Sequence, residues 1–319
     1  MAVPPEEHWF VAEDGVVVTG EQARAALSRT GDAAHVSEGG KGIVRVPRSR
    51  WLTAQEYERR CWMERSAEAS NDRNDQHFAD FGGYRALRGM VFGHAIELGC
   101  GPFTNLRLIG RVCKVQACTL LDPLIDTYLQ HSHVMYDRTR LQCVAESALA
   151  RGLSSPKPLR GVRRVIRTVA PSLLVSPCTI PVRELIARPV EEMPTDKQYD
   201  LIVIINVLEH CYDVELVLRN ILAVAARGSM LVFHETCHAH DQVAWLAGRS
   251  YDAGHPLSPD SRVLDAFLDG HFDAVYRKRV AKPFMLAYAE HCKRMMKQCP
   301  EAPLTQDSEE MFFIGRLKP

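Results

Sequence analysis

The run Tyr199-Asp200-Leu201-Ile202-Val203-Ile204-Ile205 constrains the fold more than any other stretch of this chain. It is strongly β-branched and lacks the alternation of polar and apolar residues that marks a half-exposed strand. A strand of this kind is covered on both faces, and sheets covered on both faces are mostly parallel, with helices as crossovers. Two shorter apolar runs precede it, His94 to Leu98 and Ala117 to Leu121, and Ser229 to His234 follows it. A helix begins at Asp213 and places Val214, Val217, Leu218, Ile221 and Val224 on one face, with Gly228 as its closing residue. The fold class expected is α/β, a doubly wound, mostly parallel sheet.

The flanks are less regular. Val16 to Val18 reads as a short strand and Glu21 to Ser28 as a helix, followed by a Gly-rich polar loop. Residues 51–92 read as helical, with Thr53 and Glu56 in the spacing of a capping box. Beyond the central strands, a helix is expected at Arg262 to Leu268 and another at Phe284 to Gln298. Strands are expected at Phe272 to Val280 and Glu310 to Leu317. The division that follows is an N-terminal extension and helical cap over residues 1–88 and a main domain over 89–319. Between Asp137 and Val190 there are nine Arg and one Lys against two Glu and one Asp. That stretch is too long for an ordinary connection in a compact α/β unit. It reads as an Arg-rich insertion, about 137–188, with a lid as one role for it.

Composition narrows the class. Of 319 residues, 46% are hydrophobic and 24% charged, with zero formal net charge, which fits a globular chain and disfavours nucleic acid as a partner. No apolar run approaches membrane-spanning length, so no membrane partner is expected. The 10 cysteines form no C-x-x-C pair, against a zinc ribbon or a dithiol redox site. The first residues carry no basic-then-apolar leader pattern. A cytoplasmic protein with reduced thiols is the expectation.

Chemistry points to Glu97-Leu98-Gly99-Cys100-Gly101, a Gly-rich turn after a strand. Such a turn lets the backbone approach a ligand closely. Asp122 ends the next strand, where a carboxylate can accept both ribose hydroxyls of a nucleoside. The turn continues Pro102-Phe103-Thr104, without the third glycine of the dinucleotide fingerprint.

These segments resemble class I S-adenosylmethionine-dependent methyltransferases. Glu97 to Gly101 is similar to motif I, Leu121-Asp122-Pro123 to the ribose-binding motif, and Glu191-Glu192-Met193-Pro194 to the acid-containing segment beside the adenine. Tyr199 to Val203 with Asn206-Val207-Leu208-Glu209-His210 is similar to motif IV and the turn after it. The resemblance covers roughly residues 90–235, leaving 137–188 unmatched. It implies a seven-stranded Rossmann-like sheet and S-adenosyl-L-methionine as cofactor. It implies cofactor contacts at Glu97, Gly99, Cys100, Gly101, Asp122, Pro123, Glu191, Asn206 and Val207, with Glu97 near the amino end of the methionine moiety.

Methyl transfer needs an oriented acceptor, and a base where the acceptor must lose a proton. His210, after the fourth strand, and Tyr84 are the candidate catalytic residues. Tyr57, Asn74, His77 and Phe78 from the cap, with His234, Glu235 and His255, are the candidate acceptor contacts; a core role for Tyr84 and a plain turn at His255 stay open. His234-Glu235-Thr236-Cys237-His238 spells H-E-x-x-H, but that motif binds zinc from a helix, and His234 ends a strand. No metal ligand is assigned, although a cation among His234, Glu235, His238, His240 and Asp241 is an alternative. The expected function is methyl transfer to an N, O or S centre of a small molecule. The alternatives are an RNA methyltransferase using the Arg-rich insertion, and a non-catalytic binding protein on the cofactor fold.

Overall fold

The computed structural model describes residues 35–36, 42–46, 48–65, 72–146, 165–166, 169–170, 175–237, 254–259, 261–282 and 308–319. The strands, in chain order, are β1 (His35–Val36), β2 (Gly42–Arg45), β3 (Val91–Phe92), β4 (Ala95–Leu98), β5 (Lys114–Val115), β6 (Cys118–Leu121) and β7 (Arg140–Glu146). They continue with β8 (Val175–Ile186), β9 (Tyr199–Ile205), β10 (Ala225–Cys237), β11 (Ser258–Pro259), β12 (Phe272–Lys282) and β13 (Ser308–Leu317). The α-helices are α1 (Arg48–Arg60), α2 (Asn74–Asp80), α3 (Leu106–Ile109), α4 (Ile125–Tyr128), α5 (Val214–Val224) and α6 (Ser261–His271).

The main sheet has the order β12-β13-β10-β9-β4-β6-β8-β7. Pairings β10–β9, β9–β4, β4–β6 and β6–β8 are parallel; those of β13 with β10 and β12, and of β7 with β8, are antiparallel. The doubly wound α/β class is therefore correct. The strand count is corrected from seven to eight, because β7 adds a reversed strand outside β8.

Alternation along β9 and β10 explains both covered faces. Ile202, Ile204, Leu231 and Phe233 join one core with α5 and α6. Leu201, Val203, Ile205, Met230 and Val232 join the other, with Phe81, with Tyr84 and Leu87 of the short 3-10 segment that follows it, and with Leu106, Leu108 and Ile109 of α3. Each fully buried Ile or Leu contributes about 1.5–3 kcal/mol relative to exposure. Asp213 caps α5 by accepting from the Leu216 amide at 3.0 Å. The helix ends at Val224 and passes straight into β10; Gly228 lies within that strand and closes no helix.

The Arg-rich reading is corrected at both ends. Residues 140–146 and 175–186 are strands of the sheet. Proline hid β8: Pro177 and Pro181 pair with Val144 and Arg140 of β7, along the part of β8 that lies beyond its pairing with β6. A strand bonded on one side tolerates the missing N–H. Val175 begins β8 seven residues before Val182, the partner of Cys118 at the amino end of β6. The chain between Glu146 and Val175 thus leaves the sheet from the edge opposite the strand ends that carry Gly99 and Asp122.

Cys143 and Cys178 face each other in the β7–β8 pairing and form a disulfide. The expectation that every cysteine is a reduced thiol is corrected for these two. The capping box also fails: α1 starts at Arg48, Thr53 donates to the Ser49 carbonyl at 3.2 Å, and Glu56 pairs with Arg59 and Arg60. The helical reading of 51–92 breaks into α1, a π turn at Cys61–Arg65, α2 and the 3-10 segment Gly82–Leu87. The helices expected at Glu21 to Ser28 and Phe284 to Gln298, the strand at Val16 to Val18, and His238, His240 and Asp241 lie outside the described residues. No described helix is long and apolar enough to cross a membrane.

Candidate active site

The chain runs from β4 to β6 to β8 on one side, then jumps to β9 on the other side of β4. Their carboxyl ends bound the topological switch point, where open α/β sheets bind ligands. Gly99 and Val207 meet there. Gly99 has φ +65°, and a Cβ on it would lie 2.4 Å from Val207 Cγ2. Gly101 has φ +55°, and a Cβ there would meet nothing within 4 Å. The first glycine lets the two turns close on each other; the second leaves its outer side open. The turn is pinned by the Gly99 and Cys100 amides, which donate to the Leu121 carbonyl at 2.8 and 3.2 Å.

Glu97 is buried and holds the loop that follows. It accepts from the Thr104 hydroxyl, from the Asn105 amide at 2.7 Å and side chain at 3.3 Å, and from the Leu106 amide at 3.1 Å. Burial nonetheless raises its pKa. Both Glu97 oxygens thus organise residues 104–106.

Asp122 is nearly buried. Its Oδ2 accepts from the Gly101 amide at 3.1 Å and its Oδ1 from the Leu124 amide at 2.9 Å, which folds Pro123 into the turn opening α4. Burial raises its pKa to about 6, against those two N–H donors and the His210 charge, which lower it. Cys100 is packed inside, its thiol 3.6 Å from the Tyr136 hydroxyl, and Tyr136 donates to the Gly101 carbonyl at 2.9 Å. Tyr136 carried no sequence signal; its role comes from the fold.

On the other side of the crevice, Asn206 takes a left-handed φ of +57°. Its amide donates to the His234 carbonyl at 2.9 Å. Glu235 points to the opposite sheet face from His234. Its Oε2 accepts from the Val207 and Leu208 amides at 3.2 and 2.7 Å, and its Oε1 from Thr236 at 3.0 Å. Burial, with Glu209 nearby, raises its pKa. Glu235 therefore shapes the turn from inside and does not reach an acceptor. His234 stacks on Phe312 at 4.4 Å and lies 5.3 Å from the His77 ring. Glu191 Oε1 accepts from Tyr212 and Asp213 at 2.5 and 3.0 Å, so this acid supports the start of α5. Its Oε2 has no hydrogen-bond partner among the described residues.

The N-terminal helices dock on these turns. Trp51 and Gln55 donate to the His210 carbonyl at 3.1 and 3.2 Å. Asn74 donates to the Phe103 carbonyl at 3.2 Å, and Asp72 pairs with Arg107. Asn105 commits its amide nitrogen to Glu97 and offers its oxygen to His77 Nδ1, 3.2 Å away. Burial lowers the His77 pKa, which favours the neutral ring. Tyr84, expected as catalytic, is fully buried with φ +50° and stacks on Phe81 at 5.0 Å and against Phe78 at 5.7 Å. Its hydroxyl has no hydrogen-bond partner among the described residues. Tyr84 is core, and Phe78 is its packing partner.

His210 sits in a different group. Its Nδ1 is 3.0 Å from the Gly254 carbonyl, and its ring is 4.6 Å from that of His255. Tyr57 and Glu58 of α1 press on Gly254, where a Cβ would lie 2.7 Å from Glu58 Oε1 and 3.1 Å from Tyr57 Cδ1. Sequence reasoning missed Glu58, although Trp51, Gln55 and Glu58 follow the i, i+4, i+7 spacing of one helix face.

The model of the methyltransferase domain matches residues 56–269. The chain belongs to that family. It is an S-adenosylmethionine-dependent methyltransferase. No curated protein matches the chain. Among solved structures, the methyltransferase is similar to the N-methyltransferase NodS from Bradyrhizobium japonicum WM9 in complex with S-adenosyl-L-homocysteine, at 13% identity and a TM-score of 0.44, over 84% of this chain and 99% of that one. Coclaurine N-methyltransferase bound to N-methylheliamine is also 13% identical, with a TM-score of 0.43 over 96% and 95%. The 1,6-didemethyltoxoflavin-N1-methyltransferase of Burkholderia thailandensis is 12% identical, with a TM-score of 0.37 over 85% and 87%.

Proposed function

We propose that the methyltransferase acts on an N, O or S centre of a small molecule held between the N-terminal helices and the carboxyl edge of the sheet. The observation that carries this is the docking of α1 over the switch point, through Trp51 and Gln55 on the His210 carbonyl. A cover anchored by the chain's own helix favours a compact acceptor over a long polymer. It also keeps water from the reacting atoms.

S-adenosylmethionine fits this site. Asp122 ends β6 beside the glycine turn, the position from which a carboxylate can accept ribose hydroxyls, and the open side of Gly101 leaves room for a ligand against the backbone. When bound, the cofactor supplies an activated methyl group on a sulfonium. The chain's part is to orient the acceptor in line with it. Glu97, Thr104 and Asn105 hold the loop, Val207 sets the opposite wall, and His77 and His234 are placed by their neighbours. His210 is tethered at Gly254, which speaks for a positioning role and not for a mobile proton carrier.

Incubation with methyl-labelled cofactor and a cell extract, split into a small-molecule fraction and an RNA fraction, tests the proposal. Label is expected in a low-mass product. Label incorporated covalently into the RNA fraction, and retained there at high salt, would overturn it.

A further inference from the structure

Three chain segments that are distant in sequence bring four metal-ligating side chains together. Glu58 comes from α1, Glu209 and His210 from the turn after β9, and His255 from the stretch 254–257. One ligand atom each from Glu58, His210 and His255 lies within 4.8 Å of the others. Glu209 Oε1 is 3.5 Å from His255 Nε2 and 3.8 Å from His210 Nε2. Bonds of about 2.1 Å in a tetrahedral array put ligand atoms about 3.4 Å apart, so the two Glu209 edges need a small contraction and the Glu58 carboxylate a larger inward movement, from within 4.8 Å.

We propose that Glu58, Glu209, His210 and His255 bind one divalent transition-metal ion, which clamps the N-terminal helix to the carboxyl edge of the sheet. The His210 tautomer suits this. Donation from Nδ1–H to the Gly254 carbonyl at 3.0 Å leaves the lone pair on Nε2, on the side of Glu209; Glu58 Oε1, 3.8 Å from Nδ1, turns toward that lone pair to complete the set. A backbone carbonyl on the second ring nitrogen is the usual support for a metal-bound histidine. Gly254 has no side chain, and one there would collide with Glu58 Oε1 at 2.7 Å; the glycine admits the carboxylate. Two carboxylates with two neutral imidazoles balance a dication. A donor set of two nitrogens and two oxygens suits Zn²⁺ or Co²⁺, whereas Mg²⁺ and Ca²⁺ take oxygen shells. All four side chains are partly buried, His255 the most exposed at 38%. The site is separate from the H-E-x-x-H run and does not depend on which acceptor is methylated.

The test uses the full chain without an affinity tag, stripped by a chelator and titrated with Zn²⁺ by calorimetry and with Co²⁺ by visible absorption. One equivalent is expected to bind saturably, with the intense d–d bands of low-coordinate Co²⁺, and Mg²⁺ is expected not to compete. His255→Ala and Glu209→Gln should each weaken binding by at least about tenfold, while melting like the metal-free wild type. Absence of saturable binding, or an affinity unchanged in both variants, would overturn the proposal. If either variant fails to fold, the other and the Co²⁺ spectrum of the wild type decide.

Discussion

Val207 packs directly onto the α-carbon of Gly99, leaving no room for a methyl group between the turn after β4 and the turn after β9. Gly99→Ala combines a left-handed backbone with a 2.4 Å collision, and is expected to cost roughly 2–5 kcal/mol. Urea unfolding of Gly99→Ala, Val207→Ala and the double variant checks it. The double variant should recover the collision part, giving a coupling of at least about 1 kcal/mol. Additive losses would mean that the two turns do not constrain each other.

Asp122 gives cofactor affinity and stability opposite pH dependences. Its folded pKa is raised to about 6, whereas an unfolded Asp titrates near ~3.9. Between those values the folded state holds a proton that the unfolded state has released. Stability therefore rises as pH falls through that window, by up to roughly 3 kcal/mol from this group. Ribose binding needs the carboxylate, so cofactor affinity should fall roughly tenfold from pH 7 to pH 5. Calorimetric titration with S-adenosyl-L-homocysteine at the two pH values, and the same pair for Asp122→Asn, is the check. The variant should bind weakly at both, with little slope.

Tyr84→Phe removes a buried hydroxyl that has no partner in the described structure. Stability should be unchanged or rise by up to about 1 kcal/mol, and methyl transfer should persist. A fall in kcat of a hundredfold with normal melting would instead restore a catalytic role for the phenol.

The disulfide between Cys143 and Cys178 closes a span of 35 residues. A loop of that length corresponds to about 3–4 kcal/mol in the unfolded-chain account. Dithiothreitol should lower the urea midpoint of the wild type and leave that of the Cys143→Ser/Cys178→Ser variant unmoved.

The elements legible in the sequence are those whose residues answer to one local rule. β9 is apolar on both faces, α5 has a clean helical stripe with Asp213 at its start, and the glycine turn follows a strand. β8 was illegible because Pro177, Pro181, Arg183 and Glu184 break any strand pattern, and only its one-sided pairing makes them tolerable. The sequence places the acids near the site but does not show which backbone amides they hold. Glu97, Glu191 and Glu235 each accept from backbone amides of a neighbouring turn, a choice that depends on where those turns fold. The group of Glu58, Glu209, His210 and His255 spans nearly two hundred positions, so no local spacing could announce it.

The pairing of Glu146 with Val175 places the two ends of the Arg-rich segment side by side, at the edge of the sheet facing away from the methyl-transfer site. A chain that leaves and re-enters a scaffold at adjacent points is a ready splice position. Doubling its length costs only about 0.6 kcal/mol in closure entropy, and the strands on either side keep their register. This segment is the natural place to graft a reporter or a second domain onto this methyltransferase.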